Sequence, residues 1–432
     1  MGSVLFINSK LRHEKRKNIS PPLGIAYLCA ALQDEGVQYD VFDCNLSEKD
    51  FDKTILSLGK NDIVAFSCMT PNYNYTVDLC KRVKALRPDL FICLGGYHAS
   101  LYAKEIIYSK TPFDALILGN GEESIVQLYK DHKEKNYASK PNIIYRIDRD
   151  NADFVVHKTN WPNGIIPDRK GIYLEKYIEL GSDFAGSVQF SRGCVYACNF
   201  CSVRHAEGCW AAGNVQQLIK EFEILYNDFG LRKNFVIVDN LFTGDKRLVM
   251  EFCDLLIKKN IQVKWSCDVR IDDIDKNLVE KMFKAGCISY FVGLESGNDE
   301  SLRLIGNKPN KELVKRNLDI INQVGIRVNA SFILGMPWEN EKSIMETIDY
   351  AINLPLYTCE FSFATPFPQT RLRRQMFEYG AKIVDFNYDH WDGRTPVMSI
   401  PNISRNRLME LYLYAITQKM RQAKQYSNKN IQ

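Results

Sequence analysis

A chain of 432 residues is long enough for two ordinary domains, each burying a core of its own. With 25% charged and 45% hydrophobic residues the composition is globular, which excludes extensive disorder, and a net charge of +4 gives no ground for a nucleic-acid partner. No run of about 18 apolar residues occurs, so no membrane span is expected. The basic runs at 13–17 and 419–424 read as solvated surface. Val4-Leu5-Phe6-Ile7 has no basic leader before it, and reads as a buried strand rather than a signal peptide. The thirteen cysteines are therefore expected reduced, as core filler or metal ligands, in a cytoplasmic protein.

From residue 4 to about 132, short apolar runs at 4–8, 39–44, 63–69, 90–94 and 115–118 alternate with helical periodicity, as at 23–32 and 75–85. Pro22 falls in the first turn of the first helix, where its missing N–H costs nothing. Five strands with helices between them predict a doubly wound parallel sheet, α/β in class, whose ligand site lies at the carboxyl ends of the strands. Those ends read Ser20-Pro21-Pro22-Leu23-Gly24, Ser67-Cys68-Met69-Thr70-Pro71, Gly95-Gly96-Tyr97-His98-Ala99-Ser100 and Gly119-Asn120-Gly121-Glu122-Glu123-Ser124. Paired glycines admit a close backbone approach and hydroxyls can bind phosphate or amide groups, although turns without a ligand use the same residues.

Together these segments resemble the cobalamin-binding domain that precedes the barrel in one class of radical-SAM enzymes. The likeness covers 1–140. It implies cobalamin at the strand ends, with contacts from Pro22, Leu23, Ser67, Thr70, Gly95, Gly96, His98, Gly121 and Glu122. The Asp-x-His-x-x-Gly motif that gives cobalt a histidine in other cobalamin proteins is absent; neither His13 nor His98 has the required Asp. Base-off cobalamin is the consequence, with His98 either a corrin-edge contact or a loop histidine bonded to backbone.

After a linker of weak periodicity, 141–185, comes Ser191-Arg192-Gly193-Cys194-Val195-Tyr196-Ala197-Cys198-Asn199-Phe200-Cys201. Three thiolates so close can hold one [4Fe–4S] cubane and leave an iron open for S-adenosylmethionine (SAM) to chelate. The rival reading is zinc on Cys194, Cys198, Cys201 and either His205 or Cys209. The C-x₃-C-x₂-C spacing, with Phe200 before the last cysteine, matches the radical-SAM motif. Further strand-like runs at 235–239, 263–269, 288–294, 328–334 and 360–364 bring the total to six β/α units, a partial (β/α)6 barrel with sites at the strand carboxyl ends. Those ends carry Asp239-Asn240, Asp268, Arg270, Gly293-Leu294-Glu295-Ser296, Gly335-Met336-Pro337-Trp338-Glu339 and Thr365-Pro366-Phe367-Pro368.

These motifs resemble the radical-SAM barrel over 186–372, followed by a helical cap, 373–432. The resemblance implies SAM contacts from Glu295 and neighbouring Ser296, from Arg270 and the backbone near Gly335, and from the Phe200 backbone near adenine. One departure stands out. Cys209-Trp210-Ala211-Ala212-Gly213-Asn214 lacks the arginines many relatives carry there, although Glu221 is kept.

The reaction implied is methylation of an unactivated carbon: a 5′-deoxyadenosyl radical takes a hydrogen, and methylcobalamin gives the methyl group. A reductant protein such as flavodoxin or ferredoxin would feed the cluster. No side chain is compelled to act as acid or base. The substrate expected is a peptide or protein side chain, or a natural-product precursor. Trp338, Phe363 and Phe367 could line its site, with core packing the default for each. Non-methylating cyclisation or ring rearrangement is the alternative. A tRNA methylthiotransferase is more distant: it needs three more strand-end cysteines, where Cys44 and Cys68 are met by Asn8-Ser9 at the first strand.

Overall fold

The computed structural model describes residues 2–10, 18–157, 164–306 and 310–429, with side chains to 420. His13 and the basic run 13–17 lie outside them, as do the side chains that end the second basic run. The chain divides into two compact units: Met1–Val188 with Val203–Gln217, and Gln189–Ser202 with Leu218–Gln432.

In the first unit β1 (Val4–Asn8), α1 (Leu23–Asp34), β2 (Tyr39–Asp43), α2 (Phe51–Ser57), β3 (Ile63–Ser67), α3 (Tyr73–Leu86), β4 (Phe91–Gly95), α4 (Tyr97–Tyr108), β5 (Ala115–Ile117) and α5 (Glu122–Glu134) follow in order. The sheet runs β2-β1-β3-β4-β5 in parallel, so the order reverses between β1 and β3 and a crevice opens there at the carboxyl ends. The continuous apolar runs of β1 and β3 are what a sheet covered on both faces requires: Val4, Phe6, Ile63 and Ala65 are all buried.

The segment expected as a linker adds to this body. β6 (Ile143–Tyr145) pairs antiparallel with β5 at the sheet edge, and Ile143, Tyr145 and Ile172 join the core of Val4 and Phe6. Tyr39 donates to Asp168 at 2.6 Å and Tyr177 donates to Asp43. The helix α6 (Leu174–Glu179) and strand β7 (Gly186–Val188) complete the stretch. The chain then returns to this unit after the cysteines, through α7 (Val203–Ala206), which packs on α4.

Beyond α8 (Val215–Asn227), the second unit alternates β8 (Phe235–Ile237), α9 (Lys246–Lys258), β9 (Trp265–Val269), α10 (Lys276–Lys284), β10 (Cys287–Glu295), α11 (Asp299–Ile305), α12 (Lys311–Val324), β11 (Arg327–Leu334), α13 (Glu341–Asn353) and β12 (Thr358–Phe363). These strands lie side by side in chain order, all parallel. With β7, the six strands of the partial (β/α)6 barrel are all present. Period-two alternation separates the faces. Trp265, Tyr290 and Phe332 meet Phe252, Met282 and Tyr350 of the helices. Asp268, Phe291 and Asn329, in register on neighbouring strands, point the other way and stay half-buried. After α14 (Arg371–Gln375), α15 (Arg405–Lys429) packs on α13 and β12 as the helical cap. No described helix is long and apolar enough to cross a membrane.

Candidate active site

The cysteine motif forms a loop whose thiols Cys194, Cys198 and Cys201 are all half-buried and unbridged. Two devices fix it. Asn199, between the second and third cysteines, donates from its backbone N to Ile305 O (3.0 Å) and from Nδ2 to Leu304 O (2.8 Å), while its carbonyl accepts from Leu372 N. Tyr196 donates to Asp273 at 2.7 Å, and its ring carries the Arg270 guanidinium 3.9 Å from its centroid. Leading into the loop, Asp239 accepts from Phe190 N (2.8 Å) and Ser191 Oγ (2.6 Å). That carboxylate, expected at a strand end, serves the loop's entry. Burial, then the nearby Glu295, Cys201 and Cys194 charges, push the Cys198 thiol up to about 12 despite Arg270. A thiol held so high would give up its proton on taking iron.

Among the described residues, no three His, Cys, Asp or Glu side chains are placed to hold a single metal ion. A cubane takes each thiolate on a different iron. The donor chemistry, three sulfurs on one anchored and partly open loop, fits the cluster. Cys209 is exposed, with Arg204 at 3.9 Å.

The side chains expected around SAM divide. Glu295 ends β10 in the left-handed region, φ 64°, at a break in register with β11. Strain of this kind in a non-glycine residue gathers at working sites. Gly293 leaves room for its carboxylate, since a Cβ there would lie 2.3 Å from Glu295 Oε1. Burial raises the Glu295 carboxyl to about 7, opposed by Arg270. Arg270 itself is clamped by Asp272, with bonds of 2.9 and 2.7 Å. Phe200 is half-buried within the cysteine loop.

Two expected contacts are otherwise engaged. Ser296 shares a hydrogen bond of 2.9 Å with Thr347 on α13 and accepts from Asn298 N, so it braces the loop. Gly335 N and Met336 N both donate to Glu339 Oε2, at 2.9 and 3.0 Å, so these amides are committed within their own turn. Glu339 also accepts from Ser301, and burial raises its carboxyl to about 7 against those hydrogen bonds. The aromatic residues follow the packing default. Phe363 lies against Tyr412, Phe367 against Trp391, and Trp338 against Tyr379 with its indole donating to Ser301.

At the carboxyl ends of the first sheet, Ser67, Gly95, Gly96 and Gly121 are half-buried, as is Pro22, the residue that caps α1. Leu23 turns into the core, and Glu122 is buried in the first turn of α5, where the helix dipole favours it. Most glycines here serve the protein itself. A Cβ on Gly96 (φ 94°) would lie 2.6 Å from Cys68 O, one on Gly119 2.7 Å from Val156, and one on Gly121 3.0 Å from Leu28. Gly95 alone of these has room, its nearest neighbour at 3.8 Å, and so offers a cradle for a ligand.

His98 is not a loop histidine. It sits in the first turn of α4, fully buried between Tyr73 and Tyr102 at 3.9 and 4.4 Å, with Nδ1 3.2 Å from Thr70 Oγ1. Burial lowers its pKa to about 3, so it stays neutral. It and Thr70 tie the β3 and β4 turns together from beneath. Cys44 and Cys68 are buried, and burial pushes each up to about 12.

A B12 binding domain model matches residues 10–129, and a radical SAM superfamily model matches 188–351. The chain is 26% identical over 404 residues to an anaerobic magnesium-protoporphyrin IX monomethyl ester cyclase of Cereibacter sphaeroides, covering 90% of this chain and 65% of that protein. It thus spans just under two thirds of that relative. An uncharacterised methyltransferase of Pyrococcus horikoshii is 25% identical over 417 residues, 90% of this chain and 86% of its own. Among solved structures, the radical S-adenosylmethionine methyltransferase TsrM of Kitasatospora setae, with cobalamin and a [4Fe–4S] cluster bound, superposes with a TM-score of 0.73 at 17% identity, covering 86% of this chain and 77% of that one. A B12-binding fold followed by a radical-SAM fold with its three-cysteine loop makes this chain a cobalamin-dependent radical SAM enzyme, using a [4Fe–4S] cluster, SAM and cobalamin.

Proposed function

We propose that the protein is a methyltransferase acting on an unactivated carbon of a peptide or protein side chain, or of a natural-product precursor. The observation that carries this is the half-buried cysteine loop, anchored by Asn199 and Tyr196 and with the strained Glu295 near enough to Cys198 to act on its thiol, in a chain that also has a B12-binding domain. When bound, the cofactors supply a hydrogen-abstracting radical and a transferable methyl group. The residues do the rest. Cys194, Cys198 and Cys201 would hold the cluster, with Asn199 and Tyr196 keeping the loop in place. Glu295 would bind the ribose or the methionyl amine of SAM, and Arg270, kept rigid by Asp272, would balance its charge. In the first unit the turns around Ser67, Gly95 and Gly121 would face cobalamin, while Thr70 and His98 hold those turns from within. A reductant protein such as flavodoxin or ferredoxin would be the electron source, and the cytoplasm the place of work.

The cyclase of Cereibacter sphaeroides, at a similar identity, supports a second reading in which the same machinery cyclises its substrate without methyl transfer. Asn8-Ser9 at the end of β1, where a third strand-end cysteine would be needed beside Cys44 and Cys68, disfavours a methylthiotransferase. The test is anaerobic reconstitution with iron, sulfide and hydroxocobalamin, then SAM and reductant, with products read by mass spectrometry. Bound iron, cobalamin, 5′-deoxyadenosine and a gain of one methyl on a candidate substrate are expected. Deoxyadenosine with substrate consumed but no methyl gained would favour the cyclase reading.

A further inference from the structure

We infer that the cobalamin site of this chain includes Val203–Gln217, the segment directly after the cluster cysteines, and that Glu207 is a positioning residue for the site's β4–α4 turn. The inference rests on the reading that cobalamin occupies the strand ends of the first unit. The B12-binding match stops at residue 129, and Val203–Gln217 falls inside the radical-SAM match. Its contacts nevertheless place it with the first unit.

The contacts fall on the turns proposed for the cofactor. Tyr97, which follows Gly95-Gly96, donates its hydroxyl to Glu207 Oε1. The carbonyl of buried Ala206 lies 3.8 Å from where a Cβ on Gly119 would project. At the far end, Gln217 locks the segment through both ends of its amide: Nε2 donates to Ile165 O at 2.6 Å, and Oε1 accepts from Gly164 N at 3.1 Å. Between these anchors the indole N–H of Trp210 is buried and has no acceptor among the described residues.

Cobalamin presents a rim of carboxamide side chains, each needing donors and acceptors. A fixed tyrosine–carboxylate pair beside the glycine turn, with an indole donor on the same segment, answers that chemistry. Glu207 acts through Tyr97 and need not touch the cofactor itself.

The experiment uses the full chain without iron and hydroxocobalamin as the probe. Amide hydrogen exchange of 203–217 is followed by mass spectrometry with and without it, and affinity by absorbance. Slower exchange across the segment on binding is expected. Glu207→Ala should weaken hydroxocobalamin by about tenfold, as loss of a charge-assisted hydrogen bond does, and Glu207→Gln, which keeps an acceptor for Tyr97, should recover most of it. Trp210→Phe, which keeps the ring and loses the donor, should also weaken binding. If hydroxocobalamin binds while 203–217 exchanges as before, or all three variants bind like wild type, the inference fails and the cobalamin reading stands. If the wild-type chain binds no hydroxocobalamin, that reading falls and the inference with it.

Discussion

Gly95 and Gly96 are adjacent, yet a methyl group would meet quite different surroundings at each. On Gly96 it would run into the Cys68 carbonyl at 2.6 Å with the backbone at φ 94°, while on Gly95 nothing lies nearer than 3.8 Å. Gly96→Ala should therefore cost about 2–4 kcal/mol, from left-handed strain plus overpacking, and lower the melting temperature of the chain. Gly95→Ala should leave melting almost unchanged and lower hydroxocobalamin affinity. Equal melting of the two variants would contradict this account. Glu295→Gln keeps size and removes charge, so iron content should match wild type while SAM affinity, read by equilibrium dialysis, falls about tenfold. At this scale the sequence was legible where chemistry is local. The three cysteines sit within eight residues and need no fold to be recognised together. Ser296 and His98 were harder, because their partners Thr347, Tyr73 and Thr70 come from other parts of the chain. Glu339 was within reach: a carboxylate four residues after a glycine turn is placed to cap that turn's amides.

Elements carry a different kind of information. The strands were readable from apolar runs and period-two alternation, and each boundary shifted by only a few residues, as when 263–269 became Trp265–Val269. β6 and α7 were not readable, since three and four residues hold too little pattern to separate from loop. The cysteine loop depends on elements that follow it by a hundred residues: Asn199 reaches α11 at Leu304. Asn199→Ala should leave that carbonyl unsatisfied and release the loop, so that iron retained after gel filtration falls although every ligand is intact. The β11–α13 turn gives a pH dependence. Burial holds Glu339 at about 7 when folded, above its usual range when unfolded. Its contribution to stability is thus full below about pH 4.5 and is lost as pH rises through 7, on the order of 3 kcal/mol. Thermal melts from pH 5 to 8 should show this loss in wild type and a flatter profile in Glu339→Gln, which has no proton to lose.

On the scale of the molecule, length and alternation were enough for two α/β bodies, and the motif order placed the cysteines in the second. Cys198→Ala should abolish 5′-deoxyadenosine formation and leave hydroxocobalamin binding intact, which would separate the two cofactors' sites by assay. The division of the chain between its units was not visible in the sequence. The first unit takes in 141–188 and then Val203–Gln217, on either side of a loop that belongs to the second. During synthesis the ribosome releases the chain from its amino end, and a domain can close only when its last strand or helix has emerged. The first body of this protein is incomplete until residue 217 is out, by which time Cys194, Cys198 and Cys201 have already left the tunnel. Its folding and the arrival of the proposed iron ligands are therefore joined in time, and a fragment ending at residue 188 would be missing part of its own fold.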